Sequence, residues 1–353
     1  MEMPVKKWEI PAAIILAFFV LVMVLAALLF LNKNTDSSSS QVVSVMGGVL
    51  HSAALDTMNT KTIRNQAEEE KYMERFRRPS QQALLNNSYS FADFEKEKET
   101  YPLITQKFGT AEDVSKAYFG ILRDAANMDG YGGGCGTIGN AKQPYPYAYE
   151  LLSQETQKKV TLQAFTESFH GIGYITLLKL LPAYTPEGTS IRTKYFMVEA
   201  EVITGPSEKD TRAYYRGGSY FAYYYGLLTA HYTQEYGWKI QSIDYLPEDL
   251  LCHPMHGWAY NSAMLVPIVY KDWYDLIEKV DSTTQNGGLV SVFASGKGQK
   301  YRFDFARLTN GTDILLHEYK WINGAWEEVN LLKDSDQGLK LSVLNPNLKA
   351  KFK

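Results

Sequence analysis

The chain has 353 residues, enough for one large domain or two modest ones, and 45% of them are hydrophobic. Its 36 Lys and Arg residues nearly balance 39 Asp and Glu residues, which gives a net charge of -3. This balance argues against a dedicated nucleic-acid-binding protein, because such proteins usually carry a basic excess. Aromatic residues make up 13% of the chain and favour much β-structure, since their side chains suit half-buried strand surfaces.

The first predicted element is an apolar run, residues 12–31, preceded by a cytoplasmic N-terminus of residues 1–11. "PAAIILAFFVLVMVLAALLFL" carries no charge over a length that crosses a bilayer as a helix. Lys6 and Lys7 precede it, so the positive-inside rule predicts a single pass in the cell membrane with the remaining chain extracytoplasmic. A cleaved signal peptide is the alternative. The length of the run and the lack of an A-x-A site favour an uncleaved anchor.

Residues 32–105 are predicted to be a linker followed by a stalk helix. "NKNTDSSSSQ" is polar and Ser-rich, which is typical of a flexible linker. From Val42 to Arg78 the apolar residues recur at helical spacing, and Pro79 ends the pattern. The stalk could self-associate, although its apolar stripe is too irregular to predict a coiled coil.

Residues 106–250 are predicted to form an α+β domain, with helices first and an antiparallel sheet after them. Thr110 is the expected N-cap of the first helix, whose apolar residues share one face. A second helix is predicted over residues 148–159 and a third over residues 162–170, capped by Thr161. Long alternating segments then predict strands that end in "GWKIQSIDYL".

Residues 251–335 are predicted to form a helix and a small four-stranded β-meander, and residues 336–353 a flexible tail. From Gly288 to Leu332, two Asn-Gly pairs, Asn310-Gly311 and Asn323-Gly324, stand between alternating apolar segments. Asn-Gly accepts positive φ at both central turn positions, so each pair predicts a two-residue hairpin.

The glycine-rich segment "GCGTIG", residues 134–139, matches the spacing of a dinucleotide-binding loop. That loop needs a strand before it and a long helix after it. Here a predicted helix precedes the glycines, while Pro144 and Pro146 follow them. We therefore predict a connector without a bound nucleotide, and we predict no cofactor elsewhere.

The two cysteines, Cys135 and Cys252, are candidates for a single disulfide, because an extracytoplasmic chain permits one; two free thiols are the alternative. Cys252, His253 and His256 lie within five residues and could bind a metal ion, since Cys and His suit zinc. A loop with locally hydrogen-bonded histidines, or a Cys-His nucleophile, are the alternatives.

The tyrosine-rich strand segments supply the candidates for a ligand pocket. Glu199 and Glu201 lie two apart on one predicted strand and therefore share a sheet face, which could be solvated or could line a cavity. Tyrosines in "SYFAYYYGLLTAHY" could line the same pocket or pack against the neighbouring region. The predicted pocket residues are Tyr118, Glu199, Tyr223, Tyr225 and Trp238.

The stretch from Thr110 to Leu246 resembles the cone-shaped fold of the nuclear transport factor 2-like superfamily. The resemblance rests on element order: a long first helix, "YELLSQETQKKVTLQAFTESF" as short helices, and a final strand in "YGWKIQSIDYL". It implies a curved sheet wrapped on helices, with a cavity at the open end. With its anchor and stalk, the chain also resembles single-pass conjugation proteins of Gram-positive bacteria and their relatives in type IV secretion, although its second region is smaller than a second cone.

These observations predict a membrane-anchored, extracytoplasmic binding or scaffold module without catalysis. Its expected partner is a protein or a small ligand, and not nucleic acid. The alternatives are a pocket enzyme or small-ligand sensor that uses the tyrosine-rich sheet with an acid such as Glu199 or Asp244, and a metal or thiol enzyme centred on Cys252.

Overall fold

The computed structural model describes residues 43–50, 82–85, 89–95, 106–129, 139–204, 220–248 and 257–341, all within one compact unit of the chain. These residues form an α+β fold with two largely antiparallel sheets and few helices. The predicted membrane anchor, residues 12–31, lies outside the described residues. Within the described ranges, no helix has the length and apolar character that spanning a bilayer requires.

The first helical layer confirms the predicted cap. A short helix, α1 (Phe91–Phe94), precedes the longer α2 (Ala111–Leu122). Thr110 Oγ1 accepts a hydrogen bond from Asp113 N at 3.0 Å, so Thr110 is the N-cap of α2. The apolar face of α2 packs into the main hydrophobic core.

The second predicted helix, residues 148–159, is wrong as a single element. The helix is interrupted at Leu152, which forms a β-bridge with Ile240, and Ser153 N donates to Ile240 O at 2.7 Å. Ser153 then caps a new helix, because its Oγ accepts from Thr156 N at 3.2 Å. Thr161 caps the next helix as predicted. The three helices are α3 (Pro144–Glu150), α4 (Gln154–Lys159) and α5 (Leu162–Glu167).

The predicted strands form most of a six-stranded sheet. Its long antiparallel strands are β3 (Ile172–Pro182), β4 (Thr193–Thr204), β5 (Tyr220–Thr233) and β6 (Gly237–Pro247). Two short strands, β1 (Val43–Val45) and β2 (Gly48–Leu50), complete the sheet in the order β1-β2-β6-β5-β4-β3. Alternate residues of β4 point to opposite faces. Val198 and Ala200 pack in the core with the helices, whereas Met197 packs in a separate cluster on the other face.

The start of the predicted stalk is a hairpin and not a helix. Strands β1 (Val43–Val45) and β2 (Gly48–Leu50) pair with each other, and β2 pairs in parallel with β6. Met46, at the turn, is fully buried, and its N–H donates to Ser168 O at 2.9 Å. Gly47 N donates to Ser168 Oγ at the same distance, 2.9 Å. Tertiary contacts at the turn therefore override the helical spacing, while most of the remaining stalk lies outside the described residues.

The second sheet has five strands, where four were predicted. The additional strand, β7 (Lys279–Asn286), is exposed along its whole length and lacks the apolar alternation that marks a strand in sequence. Strands that are neighbours in this sheet are also consecutive in the chain. The strands are β7 (Lys279–Asn286), β8 (Leu289–Gly296), β9 (Gln299–Arg307), β10 (Asp313–Ile322) and β11 (Ala325–Val329). They follow three short helical segments: Trp258–Tyr260 (3-10), Ser262–Val266 (α) and Pro267–Trp273 (π).

The two Asn-Gly pairs behave differently. Asn323 and Gly324 have φ values of 50° and 86° and join β10 to β11, which confirms the two-residue hairpin. Asn310-Gly311 lies in a five-residue loop between Arg307 and Asp313, so the predicted two-residue hairpin is wrong there. Thr309 and Asn310 are instead the central residues of a turn closed by Gly311 N, which donates to Leu308 O at 2.9 Å, and Asn310 N donates to Glu248.

The predicted flexible tail is ordered at its beginning. Asp334–Leu339 form a 3-10 helix, and Lys340 is 1% exposed and bridges to Leu315. The tail prediction is therefore wrong as far as Leu341, and residues 342–353 lie outside the described residues.

The two sheets pack against each other through a small apolar cluster. Met197 of β4, with Leu181 and Leu227 partly buried beside it, contacts the second sheet from the first. The second sheet, its β9–β10 loop and the segment after β11 contribute four residues to the cluster: Ala306, Leu308, Leu316 and Leu341. This contact brings the loop between β9 and β10, residues 308–312, over the outer face of the first sheet.

Candidate functional site

The five predicted pocket residues do not share one site. Glu199, Tyr223 and Tyr225 lie together on the outer face of the first sheet, since Glu199 is paired directly opposite Tyr225. Tyr118 lies on the opposite side, in the core between α2 and the sheet. Trp238 packs at the margin of that core, with its ring centroid 5.6 Å from the ring of Tyr232.

The space around Tyr118 is filled by side chains. The rings of Phe119 and Phe165 lie 5.5 and 6.5 Å from its ring, and all three residues are at most 1% exposed. The Oη atoms of Tyr118 and Tyr145 are buried without a hydrogen-bond partner among the described residues. Burial raises the pKa of both phenols, so both stay neutral.

The outer face of the first sheet carries a buried pair of carboxylates, Glu199 on β4 and Glu248 just after β6, both 0% exposed. Thr309 N donates to Glu199 Oε1 at 2.7 Å, and Asn310 N donates to Glu248 Oε1 at 2.6 Å. Lys179, opposite Glu199 on β3, donates its Nζ to Glu199 Oε2. The 308–312 loop of the second sheet is thereby bound to two acids of the first.

The charges of this pair explain its protonation. Burial raises the pKa of Glu248 well above its ordinary value of 4.5, and the negative charge of Glu199 raises it further. One lysine, Lys179, balances one carboxylate, and a second buried negative charge would be expensive. The raised pKa of Glu248 therefore favours its protonated form, while the Lys179 ammonium lies against Glu199.

A second acid on the same face has a neutral partner. Tyr223 Oη donates to Glu201 Oε2 at 2.5 Å, and both side chains are buried. Burial also raises the pKa of Tyr225. Backbone N–H groups of the 308–312 loop occupy one oxygen of Glu199 and one of Glu248, and both side chains are inaccessible to solvent, so the cluster joins the two sheets.

The second sheet presents a different feature to solvent, which we call the aromatic face: Phe293, Arg302, Tyr319, Trp321 and Trp326. Cross-strand pairing puts these five side chains on one side of the sheet. The Trp321 and Trp326 rings are 5.1 Å apart, and Trp321 is 39% exposed. Arg302 lies over the Tyr319 ring, 4.0 Å from its centroid, and 5.5 Å from that of Trp326.

The sequence-based prediction missed both Glu248 and the aromatic face. Glu248 carries no local signal, since its partner is a backbone amide 62 residues away. The aromatic face does have a signal: Tyr319 and Trp321 alternate on one strand, and the Asn323-Gly324 hairpin brings Trp326 opposite Trp321.

The remaining candidates are not placed. Cys135, Cys252, His253 and His256 lie outside the described residues, so the disulfide, metal and thiol interpretations stay predictions. Among the residues that are described, no three His, Cys, Asp or Glu side chains are grouped so as to hold a metal ion.

Comparisons with known proteins give little further information. No protein-family model and no curated protein matches the chain. A solved structure described as "Ntf2 like protein involved in plasmid conjugation" is similar over 63% of this chain and 100% of its own, with 10% identity and a TM-score of 0.22. A similarity at that TM-score carries no argument about fold or function.

Proposed function

We propose that the protein is a non-catalytic binding or scaffold module, held at the cell membrane by residues 12–31, with its folded part extracytoplasmic. Its partner is a protein that docks on the aromatic face. This assignment needs no cofactor and no nucleic acid.

The aromatic face is the observation that carries the proposal. Aromatic rings that are grouped and partly exposed on a protein surface are unusual, and such apolar patches typically mark interaction sites. Trp, Tyr and Arg are also the residues that contribute most to binding energy at protein interfaces. Here the rings stand on a rigid sheet whose opposite side is a packed core containing Val292, Phe303 and Leu315, so little order has to be gained on binding.

The electrostatics of the face favour a protein partner with an acidic or carbonyl-rich segment. The Arg302 guanidinium is held between rings and by a 3.2 Å contact of its Nε with Asp304 Oδ1. A side chain that is already ordered loses little rotamer freedom when it donates to a partner's oxygen atoms.

A role without catalysis is consistent with the described part of the chain, where the one buried pair of acids that could act as acid and base is not accessible. Glu199 and Glu248 are the strongest candidates for such a pair, because they are neighbouring buried carboxylates and the pKa of Glu248 is raised. Both are engaged by the 308–312 loop and are inaccessible to solvent. The apolar run of residues 12–31 supports the membrane location.

Site-specific photo-crosslinking in native membranes tests the proposal. A photoreactive phenylalanine analogue replaces Trp321 in the full chain, and membranes are irradiated and probed for crosslinked products. We expect one discrete protein adduct, lost when Arg302→Ala and Trp326→Ala are added.

The matched control carries the same analogue at Ile191, which is 87% exposed and lies outside the aromatic face. An equal pattern of adducts from positions 191 and 321, or no adduct from either, would contradict a docking role for the aromatic face. Recovery of the full-length chain in the soluble fraction, or cleavage of residues 12–31 from the mature protein, would contradict the membrane anchor.

A further inference from the structure

A second buried polar cluster lies on the core side of the second sheet. Lys340 and Glu318 have fully buried side chains, and Lys340 Nζ contacts Glu318 Oε2 directly. Tyr270 Oη donates to Glu318 Oε1 at 2.7 Å, and Leu331 N donates to Oε2 at 3.2 Å. The ring of Tyr184 covers the ammonium group, 4.2 Å from its centroid.

A carboxamide touches the same lysine. Asn330, the residue after β11, accepts a hydrogen bond from Lys340 Nζ on its Oδ1 at 3.1 Å. The same Oδ1 accepts a second hydrogen bond from Gln337 Nε2 at 3.2 Å. Asn330 is itself exposed, so its amide group has a path to water. An amine, a carboxylate and an amide carbonyl with an additional donor therefore converge on one point.

This arrangement matches the requirements of amide-bond transfer. A lysine attacks a carbonyl carbon only as the neutral amine, and a desolvated environment favours that form. A buried ion pair pays a large desolvation penalty that its mutual attraction only partly offsets. Lys340 Nζ lies next to the Asn330 amide, and Glu318 is in direct contact with it and within reach of its proton.

We propose that Lys340 and Asn330 are joined by an intramolecular isopeptide bond, which the protein forms itself. The bond that forms is Nζ–Cγ and the bond that breaks is Cγ–Nδ2. Glu318 takes one proton from the Lys340 ammonium, and the resulting amine adds to Cγ. A further Nζ proton reaches Nδ2 through the Glu318 carboxyl group, and ammonia leaves. One proton stays on Glu318, so no oxidant, cofactor or external reactant is needed.

Each neighbour has a distinct part in this reaction. Glu318 is a catalytic residue, because it contacts the reacting nitrogen and relays its protons. Gln337 donates to Oδ1, the atom on which negative charge develops when the amine adds. Tyr270 orients the Glu318 carboxyl and is a positioning residue.

The bond would tie the segment that follows β11 into a closed covalent ring from Asn330 to Lys340. That ring contains the Asp334–Leu339 helix. It would fix the C-terminal segment to the end of the sheet by a bond that neither denaturant nor reducing agent breaks.

Mass spectrometry of the purified full chain tests the proposal. We expect an intact mass below the sequence mass by one ammonia. Cyclisation at an Asn-Gly pair gives the same loss, so a tryptic map decides. Trypsin cuts after Lys333, between the two residues, and we expect one branched species that contains both Asn330 and Lys340, with no cut after Lys340.

Variants separate the bond from the fold. Asn330→Ala changes an exposed residue and should restore the full mass and cleavage after Lys340, whereas Asn286→Ala, at another exposed asparagine, should leave the branched peptide intact. Glu318→Gln should lose most of the bond by removing the proton acceptor, and Gln337→Ala should slow its formation in freshly synthesised chain. Separate, unmodified peptides from the folded wild-type chain would overturn the proposal and leave Lys340 as an ion pair only.

Discussion

The buried carboxylates make a definite prediction about pH and stability. The change is Glu248→Gln, which keeps the shape of the side chain and removes its titration. Glu248 is protonated in the folded chain because burial and Glu199 raise its pKa, but it ionises in the unfolded chain above its ordinary pKa of 4.5. The folded state therefore binds one proton more than the unfolded state in this range, and stability falls as the pH rises.

The magnitude follows from linkage. Each pH unit between the unfolded and the folded pKa of Glu248 costs about 1.4 kcal/mol, so the loss of stability grows as the pH rises above 4.5 and stops growing once the pH has passed the folded pKa. A glutamine at position 248 can still accept a hydrogen bond from Asn310 N and can donate one to Glu199. Because glutamine does not titrate, the stability of the variant does not fall with pH for this reason. We expect Glu248→Gln to match the wild type in stability near pH 4.5 and to exceed it increasingly as the pH rises, by at most about 1.4 kcal/mol for each pH unit.

Urea unfolding of the full chain at a series of pH values, followed by tryptophan fluorescence, measures this difference. Amide exchange of the 308–312 loop gives a local readout. Glu112→Gln is the matched control, since Glu112 makes an exposed pair with Lys116 and should change stability by no more than about 0.5 kcal/mol. If wild type and Glu248→Gln lose stability in parallel as the pH rises, Glu248 is ionised in the folded protein and our assignment fails.

Three further substitutions probe the packing, each by urea unfolding of the full chain. Gly47→Ala should lower the free energy of unfolding by about 2 kcal/mol or more, because Gly47 has a φ of 72° and a Cβ there would lie 2.5 Å from Phe165. The control Gly139→Ala has open space around it and should lower stability little. Equal losses in the two variants would refute this account. Lys179→Met should lower the free energy of unfolding by about 3–5 kcal/mol, because it leaves Glu199 buried without its cation, and a neutral effect would contradict this account. Phe165→Ala should cost about 3–5 kcal/mol, and a loss below 1 kcal/mol would mean that this core is loosely packed.

Features set by neighbours in sequence were predictable. The Thr110 cap and the Asn323-Gly324 turn each depend on a few consecutive residues, and both are found where expected. The hairpin of residues 43–50 was not predicted, because its two strands have three residues each and depend on Ser168 and β6. Its Gly47-Gly48 pair between β-branched residues was the available signal.

The buried polar clusters could not be predicted from sequence patterns, because their members lie far apart in the chain. Glu199 was selected as a pocket residue because it shares a face with Glu201, and the shared face is correct. Its role depends on Thr309, which lies 110 residues further along the chain. Lys340 looked like part of a polar tail, and only the approach of Glu318 and Asn330 explains why a lysine is buried there.

The contact of the 308–312 loop with Glu199 and Glu248 has a practical consequence for anyone who divides this chain. A fragment that stops after residue 248 would keep both acids and lose the two amides that satisfy them. It would also uncover Met197 and Leu227, which the second sheet now shields. Expressing the two sheets separately should therefore yield aggregating halves, and the smallest fragment suited to crystallisation or NMR runs from the hairpin at residue 43 through Leu341.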